Sequence, residues 1–88
     1  MNNERRKDIA RAKTLLEEIV GKIEELTADI ENIRDAEQEA FDALPESFQD
    51  GERGQTMQEA IDNLENALSE LENMNASDVE DFLEGAAA

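Results

Sequence analysis

The chain has 88 residues and contains no cysteine, histidine, tryptophan or tyrosine. Without cysteine, neither a disulfide framework nor a thiolate metal site can form. Without histidine, the chain lacks the usual general base at neutral pH and the commonest metal ligand. Proline occurs once, at position 45, and glycine four times. So few chain breakers leave room for long, uninterrupted elements. Positive charge is also scarce, with 8 basic side chains against 24 acidic ones and a formal net charge of −16. That balance opposes direct contact with nucleic acid, whose phosphates need Lys and Arg, and it favours basic partners. No apolar run approaches the roughly 18 residues that a membrane span requires. The opening Met-Asn-Asn-Glu-Arg-Arg-Lys carries no apolar signal region, and a cytoplasmic protein is expected.

What the chain does have is periodicity. Ile9, Ala12, Leu16, Ile19, Ile23, Leu26, Ile30, Ile33, Ala40 and Leu44 recur at alternating spacings of about three and four, with Glu37 where one more apolar residue is due. Asn2 or Asn3 can cap this stretch, and Pro45 disfavours helix at the residue before it. The spacing predicts one helix over 3–44, on the order of 60 Å long. Residues 45–55 hold the proline and two glycines and form the connector, with room for one helical turn behind Pro45. Thr56 with Glu59 reads as a capping box that opens a second helix over 56–74. Its core positions are Met57, Ile61, Leu64, Leu68 and Leu71. Asn73, Asn75, Ala76 and Ser77 interrupt the repeat. Ser77 with Glu80 opens a short helix over 78–84, which Gly85 should stop.

These signals specify an all-α fold. A single domain over 1–88 forms a long antiparallel helical hairpin, coiled-coil-like, with a short C-terminal helix. A turn near residue 50 pairs Ile33 with Leu68 and Ile30 with Leu71, and the short helix then reaches back to about Glu17. Ile9, Ala12, Leu15 and Leu16 are left without a partner, and Leu15 and Val20 widen the stripe beyond a two-position seam. An exposed patch of this kind is costly on a monomer. The chain should therefore form a homodimer or a higher helical bundle through Ile9, Ala12, Leu15, Leu16, Ile19 and Val20.

Charge placement points to the same end. Arg5, Arg6, Lys7, Arg11 and Lys13 lie in the first thirteen positions. Cations at a helix N-terminus oppose its macrodipole, so local helix stability does not account for them. They suit an acidic flank of a second copy, and Arg5, Arg6, Lys7 and Arg11 are also candidates to grip a small anionic ligand or a partner. Ser47 and Arg53, beside the apolar Phe48, make the connector a second candidate binding tip, with Phe48 otherwise plugging the end of the bundle. Arg34, three positions before Glu37, can pair with it as a polar pair in the core.

From residue 14 onward 3 basic residues stand against 22 acidic ones, a charge of −19. Glu17, Glu18, Glu24, Glu25, Glu31, Asp35, Glu39 and Asp42 occupy outer positions of the first helix. Spread along a hairpin of about 45 Å, such charge approaches the density of duplex DNA, one per about 1.7 Å. This face is either a solvated coiled-coil surface or a mimic of DNA directed at a DNA-binding protein. Glu39 with Asp42 and Glu59 with Asp62 resemble the Mg²⁺-holding carboxylate pairs of all-helical nucleotide pyrophosphohydrolases. The heptad register turns all four outward, and no phosphate-binding lysine accompanies them, so they read as surface carboxylates. No metal, cofactor or enzymatic activity is expected.

The stretch Arg34-Asp35-Ala36-Glu37-Gln38-Glu39-Ala40-Phe41-Asp42-Ala43-Leu44-Pro45-Glu46-Ser47, then Glu52-Arg53-Gly54 and Glu59-Ala60-Ile61-Asp62, resembles small acidic helical proteins of tailed phages and prophages. That resemblance, which covers roughly residues 1–72, implies a non-virion accessory factor. Such a factor blocks a host protein, as an anti-defence inhibitor does, or sequesters a small ligand. The alternatives are the DNA mimic and a purely structural assembly protein.

Overall fold

The structure, a computed structural model, describes residues 1–74 and 76–88, and every element among them is helical. The order is α1 (Asn3–Asp42), α2 (Glu46–Gln49), α3 (Glu52–Glu72) and α4 (Ala76–Ala87). The chain divides into two compact units, Met1–Glu25 with Met74–Ala88, and Leu26–Asn73. No helix among the described residues is long and apolar enough to cross a membrane.

Helix α1 is capped by Asn2, whose Oδ1 accepts from the Arg5 backbone N–H at 2.8 Å. The helix is free of proline throughout and ends at Asp42, two residues earlier than the apolar spacing suggests. The following proline excludes α geometry at Leu44, and the Leu44 N–H closes a tight turn onto the Phe41 carbonyl at 3.0 Å. The single turn α2 forms behind Pro45, as the connector allows, with the Phe48 and Gln49 N–H groups donating to the Pro45 carbonyl.

Helix α3 starts at Glu52, four residues ahead of the expected Thr56. Gly51 stands at the cap, and the Thr56 hydroxyl donates to the Glu52 carbonyl instead of closing a capping box. Glu52 in the first turn complements the helix dipole there. Helix α4 is also longer than expected. It begins at Ala76, so Ser77 lies inside it, and it runs through Gly85 to Ala87. Gly85 ends nothing because no described residue adopts a positive φ, the conformation a glycine stop requires. Asn75, counted among the interrupting residues, lies outside the described ones.

In the unit Leu26–Asn73, Ile61 is the buried centre, with 1 % of its surface exposed. Met57, Ala60, Leu64, Leu68 and Leu71 of α3 are half-buried around it, as are Ile30, Phe41 and Leu44. The register of α1 differs from expectation. Its half-buried positions run Ile9, Lys13, Leu16, Val20, Ile23, Thr27, Ile30, Arg34, Glu37 and Phe41, together with Ala12 and Gln38. Every seventh residue from Ile9 is shared with the expected seam. The second row has moved by one position, about 100° around the helix. Ile33 therefore stays 56 % exposed and is not buried as the expected pair with Leu68, and Leu26 and Ile19 stay 47 % and 53 % exposed. Lys13, Thr27 and Arg34 are the half-buried polar members of the inner row, a place that the long aliphatic stems of Lys and Arg suit. Leu15, Ile19, Leu26 and Ile33 are left open.

Candidate functional site

In the unit formed by Met1–Glu25 and Met74–Ala88, the N-terminal cations divide into two sets. The Lys13 ammonium meets Glu84 at 3.2 Å, and Arg6 Nε donates to the Ala87 carbonyl at 3.1 Å. A cation at the carbonyl end of α4 complements that helix's dipole. The cations that α1 disfavours at its own start are thus partly accounted for by the end of α4. The expected end of this helix at residue 84 left out Ala87, whose carbonyl is the one that Arg6 meets. Arg6, expected to grip a ligand, is in this structure occupied by Ala87 and by Asn3, whose Oδ1 accepts from Nη1 at 3.3 Å. Arg5, Lys7 and Arg11 are exposed, and none of them takes part in the ion pairs found among the described residues.

The longer α4 also corrects the coverage of α1, because apolar residues expected to lack any partner in the chain receive one. Ile9, Ala12, Leu16 and Val20 are half-buried, and Leu83 and Ala87 of α4 are half-buried in the same unit. Leu15 and Ile19 stay open at 51 % and 53 %. Of the six residues expected at an oligomer interface, Leu15 and Ile19 are thus the two most exposed in the single chain. Beside them runs an apolar groove of about 280 Å³ between Leu16, Ile19 and Ile23 of α1 and Met74, Ala76 and Val79. Val79 is 48 % exposed and Phe82 is 78 % exposed. On the other side of α4 a second groove, of about 370 Å³, is lined by Lys13, Glu17, Glu24 and Glu80 over Leu16 and Val20.

In the unit Leu26–Asn73, Arg34 and Glu37 are half-buried on the α3 side, but they do not pair. The Arg34 guanidinium donates through Nε and Nη2 to Asp35 Oδ1 at 3.2 and 3.1 Å. Asp35 is the neighbour whose carboxylate reaches the guanidinium where it emerges from the groove. That groove, about 410 Å³, carries Glu31, Glu65 and Glu72 around Arg34 above Leu68 and Leu71. Its surplus of carboxylates suits a cationic group better than an anion. Among the described residues, no group of three or more acidic side chains converges as a metal site would.

The connector tip exposes Ser47, Arg53 and Phe48. Phe48 is 56 % exposed and does not plug the bundle end. Gln49 takes that place and is half-buried there. Its Nε2 donates to the Leu44 carbonyl at 3.1 Å and, at 3.3 Å, to the Phe41 carbonyl that already accepts from the Leu44 N–H. Gly54 makes the arrangement possible, since a β-carbon there would overlap the Gln49 backbone.

Comparison with protein-family models, with curated proteins and with solved structures yields no match, so these surfaces alone bear on what the chain does.

Proposed function

We propose that the chain is a non-enzymatic interaction protein that works as an assembly of identical copies in the cytoplasm, holding a host protein or a small anionic ligand. One observation carries this reading: α1 leaves Leu15, Ile19, Leu26 and Ile33 exposed, while the polar Lys13, Thr27 and Arg34 take half-buried positions beside the Ile9, Leu16, Ile23 and Ile30 row. Leu15 and Ile19 are about half exposed, and Phe82 more than three-quarters. Clustered apolar surface of this kind marks a contact face. Arg5, Lys7 and Arg11 supply exposed cations that take part in no ion pair among the described residues, and Ser47 with Arg53 supplies a polar tip. If the resemblance of roughly residues 1–72 to small acidic helical proteins of tailed phages reflects a shared role, the partner is a host defence protein or host enzyme that is blocked. Alanine substitution at Arg5, Lys7, Arg11, Ser47 and Arg53, followed by affinity capture from host lysate, tests the assignment. Mass spectrometry of captured proteins and of heat-released small molecules should show the loss of one species. Capture unchanged by all five substitutions would remove these residues from the binding site.

A second reading has its own support. Glu17, Glu18, Glu24, Glu25, Glu31, Asp35, Glu39 and Asp42 are all exposed, as a mimic of the DNA backbone requires. It predicts binding to a DNA-processing protein that weakens steeply with salt and is competed by duplex DNA. Salt-insensitive binding would exclude it.

A further inference from the structure

We propose that two copies of this chain join through residues 5–22 of α1, running antiparallel with Leu15 of one copy against Leu15 of the other. The proposal rests on the self-association put forward above and adds to it an orientation and a register. Steps of three and four residues return Asp8, Ala12, Leu15, Ile19 and Lys22 to one face of α1. Leu15 and Ile19, at its middle, are 51 % and 53 % exposed. Helix α4 widens the same surface, because Val79 shares an apolar groove with Ile19 and Phe82 follows on the next turn, 78 % exposed.

Charge selects the occupant. The apolar middle is bracketed by Asp8 at one end and Lys22 at the other, both exposed. A parallel pair in register would set Asp8 against Asp8 and Lys22 against Lys22, and like charges across a seam are unfavourable. Turning the second copy about Leu15 sets Asp8 against Lys22 of the second copy, and two-fold symmetry repeats the contact. The same register sets Arg11, on the outer flank, level with Ile19 and within one residue of Glu18 of the second copy, again twice. Arg11 takes part in no ion pair among the described residues. Among the described residues Lys22 is paired with Glu25, at 3.2 Å, where the two side chains are 80 % and 70 % exposed. Water weakens so open a pair, and a second copy readily displaces it. A partner of unrelated sequence has no reason to carry the reversed charge order. This stretch carries it for itself.

Charge reversal tests the register, read by sedimentation equilibrium with circular dichroism as the control for folding. Asp8→Lys and Lys22→Asp each place two like-charge contacts in the antiparallel seam. Each should raise the dimer dissociation constant by roughly tenfold. The double variant, with the order inverted in both copies, should return it close to the native value. Folded single variants that dimerise as the native chain does would overturn the proposal. Since the chain has no cysteine, single-cysteine variants give an independent reading. Leu15→Cys should cross-link to itself, whereas Asp8→Cys and Lys22→Cys should cross-link only when mixed. Self-linking of Asp8→Cys or Lys22→Cys would overturn the orientation, and a dimer in which none of the three links would overturn the face. A native chain that sediments as a monomer would overturn self-association itself, a result separate from all of these.

Discussion

Gly54 stands where the first turn of α3 passes over Gln49, with no room for a side chain. Gly54→Ala must push two backbones apart, an overpacking that costs about 1–3 kcal/mol. For a domain of this size that lowers the melting temperature by roughly 5–20 °C, which calorimetry or thermal circular dichroism will show. Gln49 is the second such residue, since its amide serves the Leu44 carbonyl and shares the Phe41 carbonyl with the Leu44 N–H. Gln49→Ala should cost about 1 kcal/mol, the usual net worth of hydrogen bonds to groups that would otherwise go unsatisfied. The Lys13–Glu84 pair is of another kind. Its side chains are 31 % and 55 % exposed, and exposed ion pairs contribute little.

At the scale of the elements, the hairpin of α1 and α3 hangs on one fully buried side chain. Ile61→Ala should remove about 2–5 kcal/mol, whereas Ile33→Ala, at an exposed position, should change stability by about 0.5 kcal/mol or less. Urea unfolding of the two variants makes the contrast measurable. The helices themselves were legible in the sequence, because proline at 45 and the three-and-four spacing leave no competing pattern. The positions of two starts and one stop were not. Thr56 and Ser77 look like caps, yet helices already under way at Glu52 and Ala76 absorb them, and Gly85 is carried along by the helix around it. The register was half legible. The row from Ile9 through Leu16, Ile23 and Ile30 is buried as its spacing demands. The neighbouring row is not, because Lys13, Thr27 and Arg34 take the half-buried positions beside it, and long side chains such as Lys and Arg can cover their aliphatic stems there. Hydropathy alone ranks Ile19, Leu26 and Ile33 above them and so chooses the wrong row. Arg34 likewise looked like the partner of Glu37, and only side-chain placement shows it turned to Asp35.

For the whole molecule, the two rows on α1 divide the work. One holds the chain together, and the other is open to whatever the chain meets. The N-terminal cations follow the same division, Arg6 and Lys13 fastening α4 while Arg5, Lys7 and Arg11 face outward. A chain bearing −16 overall repels its own copies at long range. Self-association should therefore strengthen as salt screens that repulsion, up to the point where the specific pairs are screened as well. The most direct measurement of the central claim, that the open row is a contact face between copies, is the mass in solution by light scattering at micromolar concentration. The native chain should have the mass of two or more copies, and Leu15→Glu should reduce it to a single copy while the helical circular dichroism signal persists. A native chain of 9.8 kDa across the concentration range would contradict the claim.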